Sequence, residues 1–335
     1  MAKLVGIFNM THSPFCYMPA ERWSAVRASR PIREDVPLDD DLENFAKAER
    51  IRNGFATLRQ KMAEAKPDVI VVFGDDQLEC FDFTNYPAFA IHVGEEFHGD
   101  TSAADQNYIG TSRGETHDAS QRLQGHPELA TALLTGLMRR GFDPAFMMDM
   151  PKQEGLGHAI MRPAESLTDY SVPIVSVLVN CYYAPQVTGM RCYQLGKAVR
   201  EVIDSYPGDL RVAVVGSGGL WHTPGAQQAY LDEDFDRRSL EYMVAGDALA
   251  MAEHFDAYQV PESDSSQPIK ERGRTATGLP GPGGPQGGTR ETCNWIITTA
   301  VAAGSRAEIV DYVPVYASPI GAGFAYWPEF QASAE

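Results

Sequence analysis

The chain has no Cys-x-x-Cys pair, and its five cysteines (Cys16, Cys80, Cys181, Cys192 and Cys293) are odd in number and widely scattered. That excludes a disulfide framework and a thiolate zinc site, and leaves reduced thiols in core or pocket positions. It also lacks a Lys/Arg cluster, and its formal net charge is −17. A nucleic-acid binder or a protein resting on anionic lipid needs a basic surface, so no nucleic-acid and no membrane partner is expected. There is no apolar run of membrane-spanning length, and Met1-Ala2-Lys3-Leu4-Val5-Gly6-Ile7-Phe8 meets Asn9 and Thr11 too soon for a signal-peptide core. A cytoplasmic protein is the expectation. No internal repeat and no phosphate-loop lysine occur either.

What is present is a series of short apolar runs separated by helical periods. With 335 residues and 44% hydrophobic content, the chain can bury a large core. Val69-Ile70-Val71-Val72-Phe73, between Pro67 and Gly74, reads as a strand buried on both faces, and it delivers Gly74-Asp75-Asp76-Gln77-Leu78-Glu79 to its carboxyl end. Lys3 to Phe8, Ala88 to Val93, Pro173 to Val179 and Arg211 to Val215 read as further strands. Ile51, Phe55, Leu58 and Met62 mark one face of a helix over roughly residues 40–65. Pro127 opens another helix that Gly141 closes, and Leu195, Val199, Val202 and Ile203 mark a third. The prolines of residues 17–41 point to an irregular excursion.

Alternating strands and helices predict an α/β fold, a single large domain over residues 1–335 with a central mixed sheet covered by helices on both faces. Residues 260–290, rich in glycine and proline, read as a long loop within that domain, over the mouth of a site. Glu291 then stands at the start of a helix. In open α/β sheets, ligands bind outside the carboxyl ends of the strands, so the loop after Phe73 is a natural place for chemistry.

Taken one at a time, the polar residues have plain explanations. His12, after the first strand, reads as a loop histidine bonded to backbone, and His158, between glycines, as part of a surface loop. His222 ends the turn Gly216-Ser217-Gly218-Gly219, which resembles a phosphate loop only until Trp221-His222-Thr223-Pro224 replaces the expected helix. Glu291 suits a helix N-terminus, and Glu79 reads as an exposed loop acid.

In combination they carry a resemblance. Thr11-His12-Ser13-Pro14, the strand ending in Asp76, Phe81 with Pro87-Ala88-Phe89-Ala90-Ile91, Gly157-His158, Gly216 to His222, and Gly288-Thr289-Arg290-Glu291 before Asn294-Trp295 follow one another in a family order. The chain resembles the class III extradiol ring-cleaving dioxygenases, the family of the protocatechuate 4,5-dioxygenase catalytic subunit. The resemblance implies iron(II) held by two histidines and a glutamate, with open positions for a catechol-type aromatic substrate and dioxygen. It implies a homo-oligomer as well. By position His12 and Glu291 match metal ligands, His222 the acid/base histidine, and His158 a second pocket histidine.

One position departs from the pattern. Where the family has Asp-His, this chain has Asp76-Gln77, so Gln77 is expected as a neutral, harder third metal ligand. Fe(II) is then joined by Mn(II) or another divalent metal as a candidate. If residues 77–79 stay extended, Glu79 shares a face with Gln77 and offers a carboxylate instead. A metal-dependent hydrolase or carbon–carbon lyase on the same scaffold is the alternative activity. Arg290 or Arg162 could meet a substrate carboxylate, and Trp221, Tyr182 and Tyr183 could line an aromatic pocket.

Overall fold

Val69, Val71 and Phe73 pack into one hydrophobic cluster and Ile70 and Val72 into a second, so the strand they form is covered on both faces. The computed structural model describes residues 1–101, 120–152, 154–183, 186–223, 229–258 and 288–330. The strands are β1 (Lys3–Met10), β2 (Val69–Asp75), β3 (Phe89–His92), β4 (Glu96–Gly99), β5 (Gln121–Gln124), β6 (Ala145–Met147), β7 (Ile174–Val179), β8 (Arg211–Ser217), β9 (Glu308–Val315) and β10 (Ile320–Tyr326). Eight of them make one mixed sheet in the order β6-β3-β7-β2-β8-β1-β10-β9, while β4 and β5 pair separately. The middle of the sheet, β7-β2-β8-β1, is parallel, with Val71 opposite Val175 and Val214, and Ile7 also opposite Val214. Antiparallel β10 and β9 extend it beyond β1, and β3 pairs antiparallel with β7.

The helices are α1 (Trp23–Ser29), α2 (Asp41–Ala65), α3 (Pro127–Met138), α4 (His158–Thr168), α5 (Gly189–Ser205), α6 (Glu233–Ala245), α7 (Ala248–Ala257) and α8 (Thr292–Val301). Buried side chains of α1, α2 and α4 join the cluster that holds Ile70 and Val72, and those of α3, α5, α6, α7 and α8 join the one that holds Val71. The expected single α/β domain with a helix-covered mixed sheet is therefore what forms. Helix α2 shows the local logic. Asp40 caps the Glu43 amide and Glu43 caps Asp40 in return, Ile51, Leu58 and Met62 face the core, and Lys66 ends the helix in the left-handed region just before Pro67. Helix α8 is buried along its whole length, which holds the residue before it, Glu291, in the interior.

Some expectations change. The excursion over residues 17–41 contains a helix, α1, pinned by the fully buried Trp23. His158 is buried as the first residue of α4 and is not in a surface loop. The strand β10, Ile-Gly-Ala-Gly-Phe-Ala-Tyr, needs its glycine, since a Cβ at Gly323 would stand 2.6 Å from the Trp295 ring. The Gly/Pro-rich loop expected over 260–290 lies, up to residue 287, outside the described residues. No helix among the described residues is long and apolar enough to cross a membrane.

Candidate metal centre and its flanking histidines

The carboxyl ends of the four parallel strands meet at one edge of the sheet. From there β1 delivers His12, β2 delivers Asp75, and β8 runs into Gly219 and His222. Ligand atoms of His12, Asp75 and Glu291 all lie within 4.8 Å of one another. His12 Nε2 stands 3.6 Å from Asp75 Oδ1 and 3.5 Å from Glu291 Oε2, too far for a good hydrogen bond. Donors about 2.1 Å from a common ion sit roughly 3 to 3.5 Å apart, so these separations suit a divalent cation. His12 Nε2 and Asp75 Oδ1 are both buried and have no hydrogen-bond partner among the described residues. Two buried carboxylates facing one unpaired imidazole nitrogen are costly unless a cation joins them.

The surrounding structure aims these donors. His12 Nδ1 lies 2.9 Å from Ser217 Oγ, which leaves Nε2 as the nitrogen turned to the cluster. Glu291 is held from both oxygens: Gly219 N–H donates to Oε2 at 2.6 Å, and the Tyr182 hydroxyl donates to Oε1. The glycine turn after β8 thus spends its amide on a carboxylate of the protein, not on a phosphate. Burial would raise the Glu291 carboxyl, but His222, His12 and the Tyr182 hydrogen bond bring it well below the usual carboxylate range. Asp75 shifts the opposite way, raised by burial and by the Glu291 charge.

Gln77, expected as the third ligand, donates its Nε2–H to Asp75 Oδ2 at 3.3 Å. Asp75 is the acid that converges with His12 and Glu291, and the Gln77 amide is bonded to it. Nor do residues 77–79 stay extended. Asp76 accepts the amides of Leu78, Cys80 and Phe81, Lys152 Nζ donates to Leu78 O at 2.5 Å, and Leu78 takes a φ of 69°. The tight turn separates Gln77 from Glu79. Asp75 escapes a sequence reading that ends the strand at Phe73. The signal was parity, because Val69, Val71, Phe73 and Asp75 share one face if the strand runs on.

Glu79 is bonded to His158: its Oε1 accepts from Nδ1 at 2.6 Å and from the His158 amide at 3.3 Å. Burial alone would lower the His158 pKa, but Glu79 overrides it and lifts it to about 9. The His158 ring packs edge-on against His12, with centroids 4.8 Å apart. His222 lies on the other side of Glu291, its Nε2 3.6 Å from Oε1, and burial, only partly offset by Glu291, lowers its pKa to about 4. Two imidazoles with opposite displacements thus flank one carboxylate-rich centre. Arg290, beside Glu291, is buried 5.7 Å from the Tyr182 ring centre, whereas Arg162 bonds to Glu165 and stacks over Tyr17. A cavity of about 450 Å³ lined by Tyr193, Lys197, Leu249 and Ala300 contains none of these residues.

Gallate dioxygenase of Pseudomonas putida is 34% identical over 125 residues, covering 36% of this chain and 36% of that protein. A 2,3-dihydroxyphenylpropionate/2,3-dihydroxicinnamic acid 1,2-dioxygenase of Photorhabdus laumondii is 28% identical over 184 residues, covering 55% of this chain and 52% of that protein. The matched stretches thus span between about a third and a half of these relatives. A solved structure, an uncharacterized protein of Escherichia coli K12, superposes with a TM-score of 0.42 at 12% identity, covering 81% of this chain and 91% of that one. The model of a family described as the catalytic LigB subunit of aromatic ring-opening dioxygenase matches residues 40–266, a span that contains Asp75, Glu79, His158 and His222 but not His12 or Glu291. The chain belongs to that LigB family.

Proposed function

We propose that this protein is a divalent-metal-dependent enzyme that opens the ring of a catechol-type aromatic substrate with dioxygen. The observation that carries the reading is the convergence of His12, Asp75 and Glu291, flanked by two further buried imidazoles, at the carboxyl ends of the parallel strands. Family membership supports the same reaction class. His12, Asp75 and Glu291 would hold the metal, in place of the expected set with Gln77. A metal there would supply Lewis acidity for vicinal hydroxyls and the redox chemistry that dioxygen requires.

The protein's own residues divide the remaining work. His222, whose pKa is depressed to about 4, is neutral at physiological pH and can take the proton of a catechol hydroxyl. His158, lifted to about 9 beside Glu79, is an N–H donor suited to negative charge developing on a substrate oxygen. Tyr182 and the Gly219 amide keep Glu291 ionised and oriented. Arg290 is the residue that would meet a substrate carboxylate.

A second reading follows from the donor set itself. One imidazole with two carboxylates is harder than two imidazoles with one, and favours manganese or magnesium over iron. With such a metal the same pocket would run a non-oxidative hydrolysis or carbon–carbon cleavage, with His222 as base. Metal analysis of purified protein, then oxygen uptake with a catechol panel under Fe(II) and under Mn(II), tests both. Stoichiometric oxygen consumption with a yellow ring-fission product is the expected result. Substrate conversion without oxygen uptake would overturn the first reading in favour of the second.

A further inference from the structure

Glu79 has no counterpart in the ligand set that the family resemblance implies, yet it is buried beside His158 with its side chain only 10% exposed. Its two contacts fall on one residue. Oε1 accepts from His158 Nδ1 at 2.6 Å and from the His158 backbone amide at 3.3 Å, the latter at the first residue of α4. The N-cap of that helix, Gly157, offers no side-chain cap, so a carboxylate from the distant β2 loop takes the place a local cap would hold. Room for it exists because residue 157 is glycine: a Cβ there would stand 2.0 Å from Glu79 Oε2. Across the ring, His158 Nε2 is buried and has no hydrogen-bond partner among the described residues, while the ring lies edge-on to His12.

With the proposed reaction needed only for what His158 does to a substrate, we infer that Glu79 is a positioning residue that keeps a proton on His158 Nδ1 and so presents Nε2 to the bound aromatic ring. The bond to a carboxylate requires a proton on Nδ1 in the neutral and the cationic ring alike, and it leaves Nε2 as the nitrogen turned away from Glu79. Glu79 is acceptor-only when ionised, so Nδ1 must be the donor. The backbone bond from His158 fixes the same carboxylate from a second direction, and ring rotation would break the short contact. The Gln77-Leu78-Glu79 turn then has a purpose: it swings Glu79 away from Asp75 and onto α4.

The test uses metal-free protein with ¹⁵N-labelled histidine, in which imidazole nitrogen shifts report the tautomer. A protected Nδ1–H resonance, absent from His158→Gln, is expected in the wild type, lost in Glu79→Ala, and kept in Glu79→Gln, whose side-chain oxygen still accepts. An unchanged His158 spectrum in Glu79→Ala would overturn the inference. With a catechol substrate, Glu79→Ala should lower kcat about ten- to a hundredfold with metal affinity within a few-fold of wild type. In a His158→Gln background the same substitution should cost nothing further. Additive losses would mean that Glu79 serves the helix cap alone. If wild-type protein consumes no catechol at all, the reaction fails as a reading, while the nuclear resonance arm still decides the pairing. Glu79→Gln retains the cap acceptor, so a folding defect in Glu79→Ala does not remove the test.

Discussion

Replacing Asp75 by asparagine should move two properties in opposite directions. Ligand atoms of Asp75 and Glu291 lie within 4.8 Å of each other, so at an effective dielectric of about 20 their mutual repulsion is about 3 kcal/mol. The metal-free protein recovers part of this by binding a proton, because Asp75 is already raised by burial and by Glu291. Asp75→Asn should therefore make metal-free protein more stable, by about 1–3 kcal/mol at alkaline pH. Metal binding should suffer. Removing one partner from a buried charge group costs about 3–5 kcal/mol, which is roughly two to three and a half decades in Kd. Thermal unfolding with and without Mn(II), and anaerobic titration with Fe(II), measure both arms. Gln77→Ala, by contrast, should change Kd by less than about tenfold, since it removes only an amide bonded to Asp75. Unaltered affinity in Asp75→Asn together with a large loss in Gln77→Ala would refute the assignment and return Gln77 to the metal.

Tyr182→Phe takes the hydroxyl donor from Glu291 Oε1 and should cost about 1.5–3 kcal/mol, read as a lower urea midpoint; no change would mean that the bond contributes nothing. Asp236 is fully buried, and burial pushes its carboxyl well above the ordinary 3.8, opposed in part by the Tyr312 hydroxyl at 2.7 Å. A carboxyl kept protonated in the fold adds stability that is lost as pH rises from its unfolded value through its raised folded value. Asp236→Asn cannot ionise, so it should flatten that decline from about pH 4 upward, and parallel pH–stability curves would refute this. Gly54→Ala sets a helix gain of about 1 kcal/mol against a Cβ placed 2.5 Å from the Phe324 ring, an overpacking worth about 1–3 kcal/mol. A net loss is expected in urea unfolding, and a more stable variant would show that Phe324 yields freely.

The parts of the fold that were legible in the sequence are those where one physical signal acts alone. Strands β2, β7 and β8 are Val/Ile-rich, near-continuous apolar runs because they are covered on both faces, and α2 shows its period because only one face is buried. In β10 the strand pattern is broken by close approach, which demands glycine where a strand former would be read. In the site, His12, His222 and Glu291 each have a plain local explanation beside a strand end or a helix start, and only their order along the chain, as the family resemblance has it, singles them out. His158 could not be placed correctly, since flanking glycines signal a loop whether or not a remote carboxylate caps the following helix. Asp75 was lost for a different reason. Apolarity ends at Phe73, but backbone pairing continues to Asp75 opposite Val179, so the strand outlasts its hydrophobic signature by two residues.

That extension changes the charge of the centre and hence what it can bind. Two imidazoles and one carboxylate around a divalent ion leave a net positive site, whereas His12, Asp75 and Glu291 would balance the ion's charge. A catecholate approaching a balanced site gains less from the ion and must find its attraction elsewhere. Two buried cationic groups stand ready nearby, the Arg290 guanidinium and the His158 imidazole, but His158 is already matched by Glu79. The buried Arg290 guanidinium, next to Glu291 in the chain, is then the cation to which an anionic group of the substrate would be drawn. The same balance predicts weaker inhibition by simple anions than a site with two imidazoles and one carboxylate would show. Azide or fluoride competing strongly at micromolar concentration would show that the ion's charge is not balanced and that Asp75 does not ligate it.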